Sequence, residues 1–265
     1  MLPQEMQDSL RVDLLKLFRM FAEKRKTYSL NPKKVDDLAG EINLYYHTHK
    51  QNLVMEERAV IKSKLNGLVA RLSRMNKLHF NDSDGEWMRV YSFDPKDEAT
   101  IDRCTVRFYL NPKFEHLIII VQLVIFYLQL PPNQSAPLMF KFPHPNNPLE
   151  RYLRGPEKIV LYVCPDNNLV TRLEAKIKSL PDDYFFDATP LFTRKVKRGV
   201  GMSYDPKEES KLIKLLRRMK QTDDIYLSYG QYMSYCIARS IQVAVIRNTK
   251  LTIRDQLDFS TLSGG

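Results

Sequence analysis

Arg107 and Tyr109 stand two residues apart in Val106-Arg107-Phe108-Tyr109-Leu110-Asn111-Pro112. Side chains alternate across a strand, so Arg107, Tyr109 and Asn111 share one face and Val106, Phe108 and Leu110 the other. A guanidinium offers a planar fork to an oxyanion, and a phenol beside it donates a hydrogen bond or a proton. That is chemistry for gripping an anion. Taken alone, the same pattern also describes an edge strand with a solvated polar face.

A second strand pattern, Leu138-Met139-Phe140-Lys141-Phe142, sets Lys141 on the face opposite Phe140 and Phe142. A lysine in an apolar strand, partly desolvated and near other cations, can shed its proton and act as a base. The plainer reading is a lysine that snorkels to water or guards a sheet edge. Further cations follow at Arg151, Arg154, Arg194, Lys195, Lys197 and Arg198. The run from Thr193 to Gly201 is basic and then glycine-bearing, as in a loop that wraps a phosphate with side chains and backbone N–H groups. Most such runs are solvated faces.

Other chemistries find no support. P-loop, GxGxxG, HExxH and GxSxG motifs are absent. His47 and His49 are the only close pair among His47, His49, His79, His116 and His144. No cysteine or carboxylate set is spaced to complete a site, so surface histidines, no metal and no cofactor are expected. An RRM-type aromatic pattern, a zinc finger and a helix-turn-helix are also missing, which argues against nucleic acid as a partner. Tyr226, Tyr229, Tyr232 and Tyr235 recur at helical spacing and read as a packing stripe.

The elements that position these residues need a core. The chain has 265 residues, 43% of them hydrophobic, enough for one large domain or two lobes. Its formal net charge is +10, and the sequence pI is near 9.4. That balance favours anionic partners, although charge spread over many helices mainly aids solubility. Three cysteines without CxxC spacing read as buried free thiols, which suits a reducing cytosol. The start lacks an apolar h-region, and the longest apolar run, Leu117 to Leu130, is broken by Gln122 and Gln129. It is too short for a membrane span and reads as a buried helix. A cytoplasmic protein with no membrane partner is expected.

Residues 1–80 read as a helical part. One apolar stripe runs through Leu10, Leu14, Leu17 and Phe21, a second through Val60, Leu65, Leu68, Val69 and Leu72. The turn Asn81–Gly85 marks the expected boundary. From 81 to 265 the signals become strand-like: Trp87–Phe93, Thr105–Leu110, Leu138–Phe142 and Ile159–Val163. Helices are expected at Lys113–Leu130, Asn168–Leu180, Glu208–Met219 and Tyr229–Val245, and a loop at Thr189–Asp205. The expected fold is α+β: a helical N-terminal part, then a mixed or antiparallel sheet flanked by helices.

Arg107-Phe108-Tyr109-Leu110-Asn111, Phe140-Lys141-Phe142 and Ile159–Val163 resemble, in order, the core of the HopA effector-domain family. Thr189–Thr193, Gly199-Val200-Gly201, Asp205-Pro206 and Ser228-Tyr229-Gly230 continue the resemblance, which covers residues from about 100 to 240. That family includes a type III-secreted plant-pathogen effector. It also includes proteins of ribosomal-peptide gene clusters, among them class V lanthipeptide and thioamitide systems. Those members are regarded as lyases that strip phosphate from phosphorylated Ser or Thr, and the order of elements is distantly similar to phosphothreonine lyases. The resemblance implies Lys141 as the base and Tyr109 as the acid. Arg107, Arg151 or Arg154, Arg194 and Lys195 would bind phosphate, with Asn111 as a further polar group. It implies a phosphorylated precursor peptide as substrate, a kinase or cyclase as partner, and no cofactor. Two positions depart from the family's pattern: Arg194 replaces a common Lys, and Met233 stands where an Arg often follows. A non-catalytic effector or peptide-binding module is the alternative.

Overall fold

The alternation at Val106–Leu110 becomes a strand with a neighbour on each side. The computed structural model describes residues 32–47, 55–75, 78–81, 85–129, 136–146, 155–205, 214 and 229–246. Its strands are β1 (His79–Asn81), β2 (Trp87–Tyr91), β3 (Val106–Leu110), β4 (Leu138–Pro143), β5 (Ile159–Val163), β6 (Arg194–Lys197) and β7 (Val200–Tyr204). They form one seven-stranded sheet in the order β1-β2-β4-β5-β3-β7-β6. The pairings of β1 with β2, β2 with β4, β4 with β5, β5 with β3 and β3 with β7 are all antiparallel. The fold is therefore α+β, with an antiparallel sheet.

The helices are α1 (Pro32–His47), α2 (Met55–Leu72), α3 (Glu98–Arg103), α4 (Leu117–Gln129), α5 (Asn167–Lys178) and α6 (Tyr229–Ile246). The chain divides into two compact units. One comprises residues 47–190 and 195–204, and the other residues 1–46, 191–194 and 205–265. Strands β1 and β2, on either side of the segment 82–86, pair with each other.

Within the sheet unit, one face of every long strand enters a single core. Met88, Val90, Phe140, Phe142, Ile159, Leu161, Val106, Phe108, Val200 and Met202 meet α2, α4 and α5 there. The helices answer with period 3.6: Leu117, Ile120, Val121, Val124 and Ile125 of α4, and Leu169, Leu173 and Ile177 of α5. In α2 the buried stripe is Ile61, Leu65, Leu68 and Leu72. Val60, expected in that stripe, is exposed, because the helix turns Ile61 inward instead. Helix α5 starts at the Asp166 carboxylate, which accepts from the backbone N–H of Asn168 and Leu169 at 2.8 and 3.1 Å. The apolar run expected as a buried helix forms α4, Leu117–Gln129, largely buried although Ile119 and Phe126 stay exposed. No helix among the described residues is long and apolar enough to cross a membrane.

Three sequence expectations need correction. The segment 194–204 is a hairpin rather than a loop: Arg198 and Gly199 link β6 to β7, and Gly199 has φ +64°. Its cations face protein carboxylates. Lys197 Nζ pairs with Asp182 at 2.8 Å and Arg198 Nε with Asp187 at 2.6 Å. His144 is buried, not superficial, and its Nδ1 accepts from the Asn146 N–H at 3.1 Å. Strand β3 is an interior strand, so the solvated-edge reading of Arg107 and Tyr109 fails. The apolar stripe at 10–21 and the helix expected at 208–219 lie outside the described residues, apart from Lys214. Cys104, Cys164 and Cys236 are buried free thiols as expected, with Cys104 Sγ and Cys164 Sγ 3.7 Å apart.

Two glycines should respond oppositely to alanine. A Cβ at Gly199 would lie 2.8 Å from Phe185 Cβ and collide with the Phe186 carbonyl, on a backbone L-residues disfavour. Gly199→Ala should cost on the order of 2 kcal/mol or more. Gly40, inside α1, has no atom within 4 Å of its missing Cβ. Gly40→Ala should stabilise by about 0.5–1 kcal/mol. Thermal melts of both variants read the sign directly.

Candidate functional site

The face of the sheet turned away from α2, α4 and α5 carries the candidate groups on β3 and β4. Register fixes which side chains meet there. Asn81 lies opposite Arg89, Arg89 opposite Lys141, Lys141 opposite Val160, Val160 opposite Tyr109, and Tyr109 opposite Gly201. The adjacent row runs Tyr91, Met139, Tyr162, Arg107, Ser203. Lys141 and Tyr109 thus share one row, two strand steps apart, and Arg107 stands in the next.

Each group is held by neighbours. Arg107 is 6% exposed, and its guanidinium carbon lies 4.9 Å from the centre of the Tyr162 ring. Tyr109 is 3% exposed, and its hydroxyl accepts from the Ser203 hydroxyl at 3.2 Å. Tyr109 therefore keeps its own O–H for another partner. Burial lifts the Tyr109 hydroxyl well above the usual phenol range, while Arg107 pulls it down and the buried Glu157 adds to the rise. The phenol is neutral at physiological pH and has a proton to donate. Lys141 is half-buried on an interior strand, and its Nζ lies 4.1 Å from the centre of the Trp87 ring. That ring contact fixes where the amine sits; Lys141 guards no edge.

Asn111 plays a different part. Its amide nitrogen donates to the Ala188 carbonyl at 2.8 Å, and its oxygen accepts from Lys158 Nζ at 2.5 Å. Its backbone N–H reaches Gly199 at 2.9 Å, and its carbonyl takes the Phe186 N–H at 3.0 Å. Asn111 is a tie between the end of β3 and two loops. Lys158 also donates to the Gly155 carbonyl at 3.0 Å and sits between the rings of Phe114 and Phe186, at 5.3 and 4.7 Å. It is wholly buried, and burial brings it down to about 7.

Of the other phosphate ligands expected from sequence, Arg194 and Lys195 belong to β6 rather than to the strands of these two rows. Lys195 is exposed on β6, the edge strand. Arg194 is half-buried and falls in the second compact unit. In that unit Phe192 adopts φ 63°, and the Tyr229 hydroxyl donates to its carbonyl at 2.5 Å. Arg151 and Arg154 lie outside the described residues.

Sequence reasoning missed Arg89, Tyr162, Ser203, Glu157, Lys158 and Trp87. Period-2 extension of three recognised strands would have found Arg89, Tyr162 and Lys158, since each falls on the face opposite its strand's core residues. Ser203 was hidden because its segment was read as a loop. Nothing local marks Trp87 or Glu157.

With rows and neighbours in place, the chain can be set beside known proteins. Residues 88–214 match the HopA1 effector protein family. No curated protein matches the chain. Two solved structures share the fold. The effector protein from Pseudomonas syringae pv. tomato strain DC3000 superposes with a TM-score of 0.57 at 14% identity, over 97% of this chain and 94% of that one. The effector protein from Pseudomonas syringae pv. syringae strain 61 gives 0.56 at 13%, over 97% and 92%. At such identity they speak for fold alone. The matched segment contains Arg89, Lys141, Tyr162, Arg107, Tyr109 and Ser203; Asn81 and Trp87 lie just before it.

The buried Lys158 predicts a pH signature. An unfolded lysine keeps its proton to about pH 10.4, whereas the folded one loses it above about 7. Below 7 both states are protonated, and the cost of burying the cation is fully present. Between 7 and 10 the unfolded chain binds more protons, so the contribution of Lys158 to stability rises with pH. Cys104 and Cys236, pushed up to about 12 by burial, act in the opposite sense only above their ordinary value of 9.0. Urea unfolding from pH 7 to 9 should show wild type gaining stability relative to Lys158→Met. Parallel profiles would sink the assignment.

Proposed function

We propose that the polar face of the sheet is the active site of a phosphoserine/phosphothreonine lyase acting on a peptide. The observation that carries this reading is the register itself: Lys141 and Tyr109 in one row, with Arg107 in the next. The two rows hold a candidate base, a neutral hydroxyl donor and a buried guanidinium, with no carboxylate among their members. A β-elimination needs those three functions.

Arg107 binds the phosphate through its guanidinium fork. The Lys141 amine takes the Cα proton, and the electrons of that bond form the Cα–Cβ double bond. The Cβ–O bond breaks with its electron pair going to oxygen. That oxygen would otherwise leave as a phosphate trianion; Tyr109, whose burial-raised hydroxyl Arg107 pulls back down, donates its proton as the Cβ–O bond breaks. Inorganic phosphate and a dehydroamino acid result. Proton transfer from the Lys141 ammonium to the Tyr109 phenolate, through water, resets the site. The positive charge near the leaving group stabilises the transition state more than the ground state. Arg151 or Arg154, in the segment leading to β5, adds phosphate affinity. The substrate is a precursor peptide phosphorylated by a partner kinase.

A second reading follows from the effector description of the matched family. The same face then grips a phosphopeptide or acidic peptide without turning it over. Lys141 separates the two. Mass spectrometry of phosphoserine and phosphothreonine peptides should show loss of phosphoric acid with wild type. Lys141→Ala should slow it by roughly 10²–10⁴-fold. Elimination at the wild-type rate in Lys141→Ala would remove the base; intact phosphopeptide with active kinase and true precursor would leave the binding module. Tyr109→Phe should lower kcat with little change in KM, and Arg107→Ala should chiefly raise KM.

A further inference from the structure

Cys104 and Cys164 are nucleophiles that the chemistry proposed for the polar face leaves unused. Their sulfurs lie 3.7 Å apart across 60 residues of sequence, and both are free thiols. Each is held by its own element. Cys104 caps the C-terminus of α3, its backbone N–H donating to the Ile101 carbonyl at 3.0 Å. Helix α3 buries none of its own residues, so Cys104, 2% exposed, is where that segment enters the interior. Cys164 directly follows β5, and its carbonyl accepts at 2.8 Å from the N–H of Asp166, the residue that caps α5. Register makes the two bridgeable. Val106 of β3 lies opposite Val163 of β5. Carried one residue further, the register sets Cys164 opposite Thr105, with Cys104 the next residue along. One strand spacing and one residue step put the two Cα atoms about 6 Å apart, within the roughly 4.4–6.8 Å that disulfides span. The sulfurs must close by about 1.7 Å to bond, a movement within reach of side-chain rotation.

We propose that Cys104 and Cys164 form a reversible dithiol–disulfide switch that a hydroperoxide closes, clipping α3 and the start of β3 to the end of β5. Disulfides in a reducing compartment are usually transient and redox-responsive. Cys164, at 7% exposure against 2%, meets the oxidant first. Its thiolate attacks one peroxide oxygen, the O–O bond breaks, and hydroxide leaves with the electron pair and takes up the thiol's proton as water. A sulfenic acid remains on Cys164. The Cys104 sulfur then attacks the Cys164 sulfur. The S–S bond forms, the S–O bond breaks, and the departing hydroxyl takes the Cys104 proton and leaves as water. Two thiols are oxidised by two electrons in all, and one peroxide is reduced to two waters. A dithiol reductant reopens the bond through a mixed disulfide. Burial, and then Cys164 beside it, push Cys104 up to about 12. Cys104 therefore does not start the reaction, and closure is slow and confined to sustained oxidant. Cys236 belongs to the other compact unit and takes no part.

The test uses the full chain, first reduced and then treated with hydrogen peroxide under native conditions. Thiol titration should fall from the chain's 3 cysteines to one. Digestion without reductant should yield a cross-linked peptide that holds Cys104 and Cys164. The melting temperature should rise by roughly 5–10 °C, because the bond closes a long loop in the unfolded chain. Dithiothreitol should reverse the cross-link and the rise together. Cys104→Ala and Cys164→Ala should each abolish both, whereas Cys236→Ala should keep them. Cys104→Val, closer in volume, serves if Cys104→Ala does not fold. Three free thiols after peroxide, oxidation of a single cysteine without a cross-link, or a cross-link through Cys236 overturns the switch. A cross-link that forms only in urea overturns it as well, since the folded contact would then have no part in it. A bond that dithiothreitol does not reopen removes the reversibility, and with it the switch.

Discussion

Burying one face of a strand commits the other. Once Phe108, Phe140, Leu161 and Met202 enter the core beneath α2, α4 and α5, the alternate positions on β3, β4, β5 and β7 must share the opposite surface. Arg107, Tyr109, Lys141, Tyr162 and Ser203 have no other place to go. Hydrophobic packing on one side thereby does the aligning that the chemistry on the other side requires. The candidate groups come from four strands far apart in sequence, yet their spacing follows from the strand-to-strand distance and the pairing register alone.

A polar surface this deeply buried has its own cost. Each donor or acceptor withdrawn from water needs a partner. Ser203 serves Tyr109, the Tyr162 ring lies against the Arg107 guanidinium, and the Trp87 ring lies against Lys141. At one end of the rows, Lys158 and Asn111 close the loops with hydrogen bonds to Gly155 and Ala188. That end is held by a buried cation between two aromatic rings, a rigid but electrostatically expensive device. Rigidity of this kind is what a reaction needs when a weakly acidic Cα proton must meet its base in a defined geometry.

The faces of the candidate residues were legible because period-2 alternation is local. The faces of Arg107, Tyr109 and Lys141 follow from five or six residues each, and the buried helix at Leu117 follows from its own apolar stripe. Strand order was not legible, because β3 lies between β5 and β7 through contacts that no window of sequence contains. The hairpin at 194–204 was misread for an identifiable reason: its charges suggested solvent, whereas Asp182 and Asp187 supply counter-charges from a preceding loop. Asn111 looked like a site residue because it alternates with Tyr109. Its amide instead ties the strand end to its neighbours, a distinction only tertiary structure makes. Lys158 escaped notice because a lysine beside a strand usually faces water.

The rows also bear on how this protein can change over time. Lengthening a loop between strands leaves every register intact, so loops can diverge in length more readily than strands. Deleting one residue inside β4 or β5 would carry Lys141 or Tyr162 into the apolar layer and bring Phe140 or Leu161 out onto the polar surface. Packing and chemistry would fail together, in one step, with no half-active intermediate. Strand lengths in such a sheet are therefore frozen while its loops drift, and divergence in sequence can proceed far while the same rows persist.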